Sequence, residues 1–397
     1  MAKYTVYGSS AFDSYIDTVL AHIVARFTET IDCKDIRALI LGGGYGRGEG
    51  GVLLKSGEQL YNDLDFFVIS KAIPWWKTKQ INSKLQILHH ELSDKYGVDI
   101  DFSDLKPVSF LPNAPFTMMW YDLKHGHKVV YGKQNILQYL PNWQSNIKAS
   151  SVAEISTNPP HLPLIEALKL MLNRGMGLFF AKQYLESGSG TNHLDFINRN
   201  IHKAYQAMGE AILVAEGEYH WSNLRRISSL KELNIAKYFP QTSLPSEGFL
   251  SLFIQAMDFK LKPSLPDTDE GNLQARLQEA IKYFSKLYYT LWAMYFKVEQ
   301  INYQSFREYL SQIPLEENSI LRTAKNILLN LRDSQGKHFS WLNSSRYPRY
   351  RLFYALPWLL WGDEIIVDDI CIVLGMPLQT NQAELQNRFV SLWQRYN

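Results

Sequence analysis

The chain has 397 residues, 46% of them hydrophobic, with 41 Lys and Arg against 39 Asp and Glu and a formal net charge of +2. That length suits two or three domains, and that apolar content fills more than one core, which excludes disorder as the overall state. A charge so near neutral excludes a protein that coats nucleic acid by bulk electrostatics, since such domains carry a strong basic excess or a concentrated stripe.

The two cysteines, Cys33 and Cys371, stand too far apart in sequence to read as a metal knuckle or a disulfide framework, so a reducing compartment is expected. The opening MAKYTVYGSSAFDSYID lacks the basic start, apolar run and small-residue cleavage site of a signal peptide. The longest apolar run, Leu352 to Trp361, contains Pro357 and falls well short of the roughly 20 residues of a membrane helix. The expectation is a cytoplasmic protein with no membrane partner.

In chain order, AFDSYIDTVLAHIVARFTET repeats apolar residues near the 3.6 period of a helix. The runs RALILGG, DLDFFVIS, VDIDFSDL and HKVVYG are rich in Val, Ile and Phe and predict strands, with a second helix, WWKTKQINSKLQILHHELSDKY, between the second and third. Beyond Pro141 and Asn158-Pro159-Pro160 the pattern turns helical. LPLIEALKLMLNRGMGLFFAKQYLE, HLDFINRNIHKAYQAMGEAILVAEG, LQARLQEAIKYFSKLYYTLWAMYF and ILRTAKNILLNLRDS all repeat apolar residues three and four apart. The predicted class is α+β: a domain over residues 1–140 with a short mixed sheet and flanking helices, then a larger all-helical domain over residues 141–397 that forms a wall of the acceptor cleft.

Chemistry concentrates in ALILGGGYGRGEGG, LYNDLDFFVIS and YGVDIDFSDL. Asp63 and Asp65 are two apart at the start of a strand, so their side chains leave the same face with Cα atoms about 6.5 Å apart at about 3.3 Å per residue. Asp99 and Asp101 share one face of another strand, opposite Val98, Ile100 and Phe102. Were the two strands neighbours, a third carboxylate would stand beside the first pair. Such a set suits Mg²⁺, which takes a few carboxylates and completes its shell with water and substrate phosphate. Two such ions about 3.5 to 4 Å apart stabilise the attacking and leaving oxygens of an in-line phosphoryl displacement. A glycine-rich turn after a strand lets backbone N–H groups approach a triphosphate.

Gly43-Gly44-Tyr45-Gly46-Arg47-Gly48 followed by Asp63-Leu64-Asp65 resembles the signature of the DNA polymerase β-like nucleotidyltransferase superfamily, and most nearly its minimal and aminoglycoside-type members. Ile100-Asp101-Phe102-Ser103-Asp104-Leu105 is similar to the strand bearing that family's third carboxylate. The resemblance covers roughly residues 37 to 132. It implies transfer of a nucleoside monophosphate, AMP by preference, from a nucleoside triphosphate to an acceptor hydroxyl with release of pyrophosphate. By the same resemblance, Asp63 and Asp65 bind two Mg²⁺ ions, with Mn²⁺ as an alternative, and Asp101 binds the ion that activates the acceptor. Asp99 is the alternative third ligand, and Asp101 is preferred because its flanking residues match the family strand better. Gly43 and Gly44 would hold the β- and γ-phosphates. Tyr45 and Arg47 count as further nucleotide-binding candidates, and Lys203 sits where similar enzymes present a phosphate-contacting lysine on a helix.

The sequence departs from the family pattern in three places, one being the choice between Asp99 and Asp101 given above. Gly44 replaces the frequent serine, and the stretch between Gly44 and Asp63 is long enough to imply an inserted loop around Leu53 to Gln59. ATP is the favoured donor, and a small molecule is favoured over protein or RNA as acceptor. The alternatives are a nucleotide second-messenger synthase of the same superfamily and a catalytically silent nucleotide-binding module. A dinucleotide site built on Gly46, Gly48 and Gly51 is disfavoured because no amphipathic helix follows it. Outside these segments, Arg47 and Glu49 suggest a local ion pair. His89, His90, His125 and His127 suggest surface or half-buried histidines without a metal. Arg346, Arg349 and Arg351, interleaved with Tyr347 and Tyr350, read first as a solvated face.

Overall fold

The computed structural model describes residues 3–143, 161–239, 245–264, 270–312, 320–334, 345–362 and 367–396. They form a small N-terminal sheet with its helices, followed by chain that is mostly helical. They group into two compact units: Met1–Glu166 with Leu213–Leu233 and Leu250–Leu265, and Ala167–Ile212 with Asn234–Phe249 and Pro266–Asn397. The first unit thus takes in two stretches from far beyond the segment that the strand pattern marks out.

In the first unit, helix α1 (Ser10–Thr30) starts where the Ser9 hydroxyl accepts from the Phe12 N–H at 3.2 Å. It leads to β1 (Ile36–Leu41), and the glycine run that follows is a five-residue helix, α2 (Gly43–Arg47), rather than a bare turn. The segment expected as an inserted loop is a small hairpin, β2 (Val52–Leu54) and β3 (Glu58–Leu60), paired antiparallel. Then come β4 (Leu64–Ser70), α3 (Trp75–Tyr96), β5 (Ile100–Phe102), β6 (Lys106–Pro107), α4 (Met118–His125) and β7 (Lys128–Gly132).

The sheet order is β5-β4-β1-β7, with β6 also paired to β4. Strand β1 runs antiparallel to β4 and to β7, whereas β5 and β6 run parallel to β4. An antiparallel β1–β4 pair cannot belong to the parallel β–α–β unit of a dinucleotide fold, so that reading of the glycines fails on topology.

Alternation along the strands divides the burial. Leu39, Leu41, Leu64, Phe66, Val68, Ile100 and Phe102 join Phe12, Ile16, Ile23 and Phe27 of α1 and Leu85, Leu88 and Leu92 of α3 in one core. Ala38, Ile40, Phe67 and Ile69 turn to the other face, with Trp120 and Leu123 of α4 and Leu111. Asp65 and Asp101 alternate with the first set, so both leave the sheet on the second face.

Helices α5 (Leu164–Glu186), α6 (Leu194–Glu216) and α8 (Ser246–Leu261) carry chain of both units. Helix α7 (Asn223–Glu232) belongs to the first. The second holds α9 (Glu270–Phe296), α10 (Tyr303–Gln312), α11 (Ile320–Ser334), α12 (Arg349–Trp361), α13 (Val367–Leu374) and α14 (Gln382–Tyr396). Its core is aromatic: Trp292 meets Phe353 with centroids 5.1 Å apart, and the buried Tyr288 hydroxyl donates to the Phe353 carbonyl at 2.7 Å. Arg351 is buried here, which corrects the reading of its segment as a solvated face. Among the described residues no helix is long and apolar enough to cross a membrane.

Candidate active site

Register sets the relation between the two strand carboxylates. On the parallel strands β4 and β5, Asp65 is the direct partner of Asp101, between the pairs Leu64–Ile100 and Phe66–Phe102. Asp63 lies just before β4 and Asp99 just before β5, where its carbonyl accepts from the Leu64 N–H at 2.8 Å.

The Asp101 carboxyl has a pKa above its ordinary value, chiefly because burial disfavours its charge and then because Asp63 repels it; His89 opposes that shift. The His89 Nδ1 stands 3.2 Å from Asp101 Oδ1 and 3.1 Å from the Ile100 carbonyl. The sequence marks this histidine as surface or half-buried, and it is half-buried; its nearness to Asp101 arises from α3 packing beside β5 and leaves no local pattern.

Glycine 43 is fitted against the same carboxylate. Its φ is +59°, in the left-handed region, and a Cβ there would lie 2.1 Å from Asp65 Oδ2. The Gly42 N–H donates to the Asp65 carbonyl at 2.8 Å, tying the start of α2 to β4. Helix geometry leaves the N–H groups of Gly43, Gly44 and Tyr45 without a carbonyl one turn back. Gly46 has a packing reason of its own, since a Cβ there would lie 2.3 Å from the Leu41 carbonyl oxygen.

The remaining glycine-run residues are held by the protein itself. The Tyr45 side chain is fully buried, and its hydroxyl donates to the Gly51 carbonyl at 2.7 Å while accepting from the Tyr61 N–H at 3.3 Å. That phenol anchors the loop and is not a group offered to a nucleotide. Arg47 and Glu49 do not pair with each other. Arg47 donates through Nε to the Gly43 carbonyl at 2.9 Å and through Nη1 to the Trp221 carbonyl at 2.6 Å and Asp122 Oδ2 at 3.1 Å. Glu49 accepts from the Ser222 hydroxyl at 2.5 Å and the Asn223 N–H at 2.7 Å, capping α7.

Asp122 is the centre of a buried cluster absent from the sequence reading. Besides Arg47, it accepts from Arg226 Nη2 at 2.8 Å and the Tyr219 hydroxyl at 3.1 Å. The Arg226 guanidinium stacks 4.3 Å from the Tyr219 ring centroid and donates through Nε to the His220 carbonyl at 2.5 Å. These partners are a hundred residues apart in sequence, so no motif could announce them. Lys203 lies half-buried on α6 in the second unit.

Hard carboxylate oxygens on adjacent strands, repelling one another, form a donor set of the kind Mg²⁺ prefers. Among the described residues no three His, Cys, Asp or Glu side chains are gathered into a group that holds an ion. Register alone sets Asp65 beside Asp101, and water and substrate phosphate would have to complete the shell, as is usual for Mg²⁺.

No protein-family profile matches the chain, and no curated protein matches it in sequence. Among solved structures it is similar to spectinomycin adenyltransferase AAD(9) from Enterococcus faecialis, determined with ATP and spectinomycin. The identity is 13%, over 67% of this chain and 99% of that one, with a TM-score of 0.37. At that TM-score the likeness is too slight to bear on fold or activity.

Proposed function

We propose that this chain is a nucleotidyltransferase that moves AMP from ATP to a hydroxyl of a small-molecule acceptor and releases pyrophosphate. The observation that carries the reading is the register pairing of Asp65 with Asp101 on one sheet face, with the Gly43 backbone pressed against Asp65. In the reaction the acceptor oxygen bonds to the α-phosphorus, the bond from that phosphorus to the bridging oxygen breaks with its electron pair leaving on pyrophosphate, and the hydroxyl proton passes to solvent.

Asp63, Asp65 and Asp101 would hold Mg²⁺, which when bound supplies charge neutralisation at the triphosphate and activation of the acceptor hydroxyl. The chain's own part is positioning. The free N–H groups at Gly43 and Gly44 would donate to the β- and γ-phosphates. Arg47, Tyr45 and Glu49 would contribute by holding that loop rigid, which lowers the cost of orienting the phosphates.

The test is product analysis. Purified protein is incubated with α-labelled ATP and Mg²⁺ with and without a panel of small hydroxylated acceptors, and pyrophosphate and adenylated product are followed. Acceptor-dependent pyrophosphate release that Asp65→Asn abolishes supports the reading. Oligonucleotide products from triphosphates alone would favour the second-messenger alternative. Metal-dependent ATP binding without any product would favour a silent module.

A further inference from the structure

The arginine- and tyrosine-bearing segment ahead of α12 has no role in the transferase reading, and its geometry poses a separate question. In the second unit a narrow cleft of about 20 Å³ is lined chiefly by Arg307, Arg346 and Arg351 with Tyr347, Tyr350 and Tyr354. That space holds about one water molecule.

Arg351 is only 7% exposed. Its Nη2 donates to Asn330 Oδ1 at 2.5 Å, while among the described residues its Nε and Nη1 have no hydrogen-bond partner. A buried polar group left without a partner costs on the order of 1–3 kcal/mol, and more when it is charged. The guanidinium stays charged near neutral pH all the same, since burial draws its pKa down only to about 10.

Position adds to the cost. Arg351 is the third residue of α12, whose first turn contains no acidic residue, so the positive end of the helix dipole works against it. Two acids near it among the described residues are engaged elsewhere. Asp369 accepts from Arg307 at 2.7 Å, and the Asp333 carboxylate accepts from Arg395 at 2.7 Å and from the Tyr396 hydroxyl. Asp333 acts on Arg351 through space, and Arg388 adds repulsion.

We propose that this cleft binds a small oxyanion, the phosphate or carboxylate group of a ligand, anchored on an idle nitrogen of Arg351. Arg346 and the Asp369-paired Arg307 line the cleft with the tyrosines. Guanidinium groups suit both oxyanions, and the narrow space admits the charged end of a ligand rather than a whole nucleotide. The proposal is independent of the transferase reading.

The experiment uses the full chain with inorganic phosphate in one arm and acetate in the other. Hydrogen exchange is followed in peptides covering α10 and the first turns of α12, and affinity is measured by calorimetry. We expect one arm to slow exchange at both helices, which names the ligand class. Arg351→Met keeps the volume and should weaken that binding about 10- to 100-fold, the worth of one charge-assisted hydrogen bond. Unchanged exchange at those helices with both ions, or unchanged affinity in a folded Arg351→Met, would overturn the proposal. If the variant does not fold, exchange in the unaltered chain decides alone.

Discussion

The Glu49 carboxylate caps the N-terminus of α7, accepting from Ser222 and Asn223, 173 and 174 residues further along the chain. The glycine run is therefore fastened at its far end to a helix from a distant part of the sequence. Glu49 is buried, and among the described residues no Lys or Arg forms a salt bridge with it; a helix N-terminus and a hydroxyl face it instead. Glu49→Ala should cost about 1–3 kcal/mol, read as a lower midpoint in urea or thermal unfolding. Ser222→Ala should cost about 1–2 kcal/mol, because it removes both the donor to Glu49 and the acceptor of the Arg225 N–H. An unchanged midpoint in Glu49→Ala would mean the cap contributes nothing in solution.

Asp122 answers two arginines, Arg47 and Arg226, and Arg226 has a side chain only 2% exposed. Asp122→Ala leaves both guanidinium groups without their carboxylate in a low-dielectric site. Removing one partner from such a cluster typically costs about 3–5 kcal/mol, more than the cluster's net contribution to folding. Denaturant unfolding of Asp122→Ala should show a loss of that order, whereas exchanging an exposed pair such as Lys3 and Asp17 for alanines should cost under about 1 kcal/mol.

These two anchors also mark the limit of what the sequence discloses. The strands bearing Asp65 and Asp101 are legible because an aspartate inside a run of Val, Ile and Phe is conspicuous, and alternation fixes its face. Long helices such as α1, α3 and α11 are legible for the same reason, one period away. The partners of Arg47 and Glu49 are not, because two residues so close in sequence suggest each other. At the end of α2 the chain instead sends one side chain to Asp122 and the other to α7. Tyr45 amid glycines looks exposed, yet the loop folds back so closely that a Cβ on Gly50 would lie 2.1 Å from its ring. Each missed relationship depends on tertiary contact between segments with no shared periodicity.

The carboxylate assignment makes a sharp comparison possible. If Asp65 and Asp101 act as proposed, Asp65→Asn and Asp101→Asn should each lower the transfer rate by about 10²-fold or more, with unfolding midpoints near that of the unaltered chain. Asp99 stands outside β5 and outside the register pair that joins Asp65 to Asp101, so Asp99→Asn should stay within a few-fold. The assignment fails if Asp99→Asn is the more damaging of the two, and steady-state rates with ATP and a working acceptor would show it.

Gly43 should tolerate no side chain. An alanine there adopts φ near +59°, a strain of about 1–2 kcal/mol, and its methyl group would meet Asp65 Oδ2. Gly57, in the turn between β2 and β3, also has a positive φ but open space where a Cβ would go. Gly57→Ala should show the strain in its unfolding midpoint and leave nucleotide binding intact. Gly43→Ala should also weaken ATP binding, measured by calorimetry; equal binding by both variants would separate the glycine from the nucleotide.

Acid should weaken the second unit through His202. The ring is largely buried on α6, its Nε2 is 3.2 Å from Arg276 Nη2, and burial followed by repulsion from Arg276 lowers its pKa from 6.5 to about 4. An unfolded chain protonates this histidine near pH 6.5, whereas the folded chain resists until about pH 4. Between those values the unfolded state binds more protons, so stability falls as pH falls through that window and levels off below it. The upper bound on the effect is about 3.5 kcal/mol at about 1.4 kcal/mol per pH unit. Thermal unfolding from pH 7 to 4 should show the decline, and His202→Gln, which cannot take up the proton, should flatten it. A variant with the same acid dependence as the unaltered chain would place the sensitive group elsewhere.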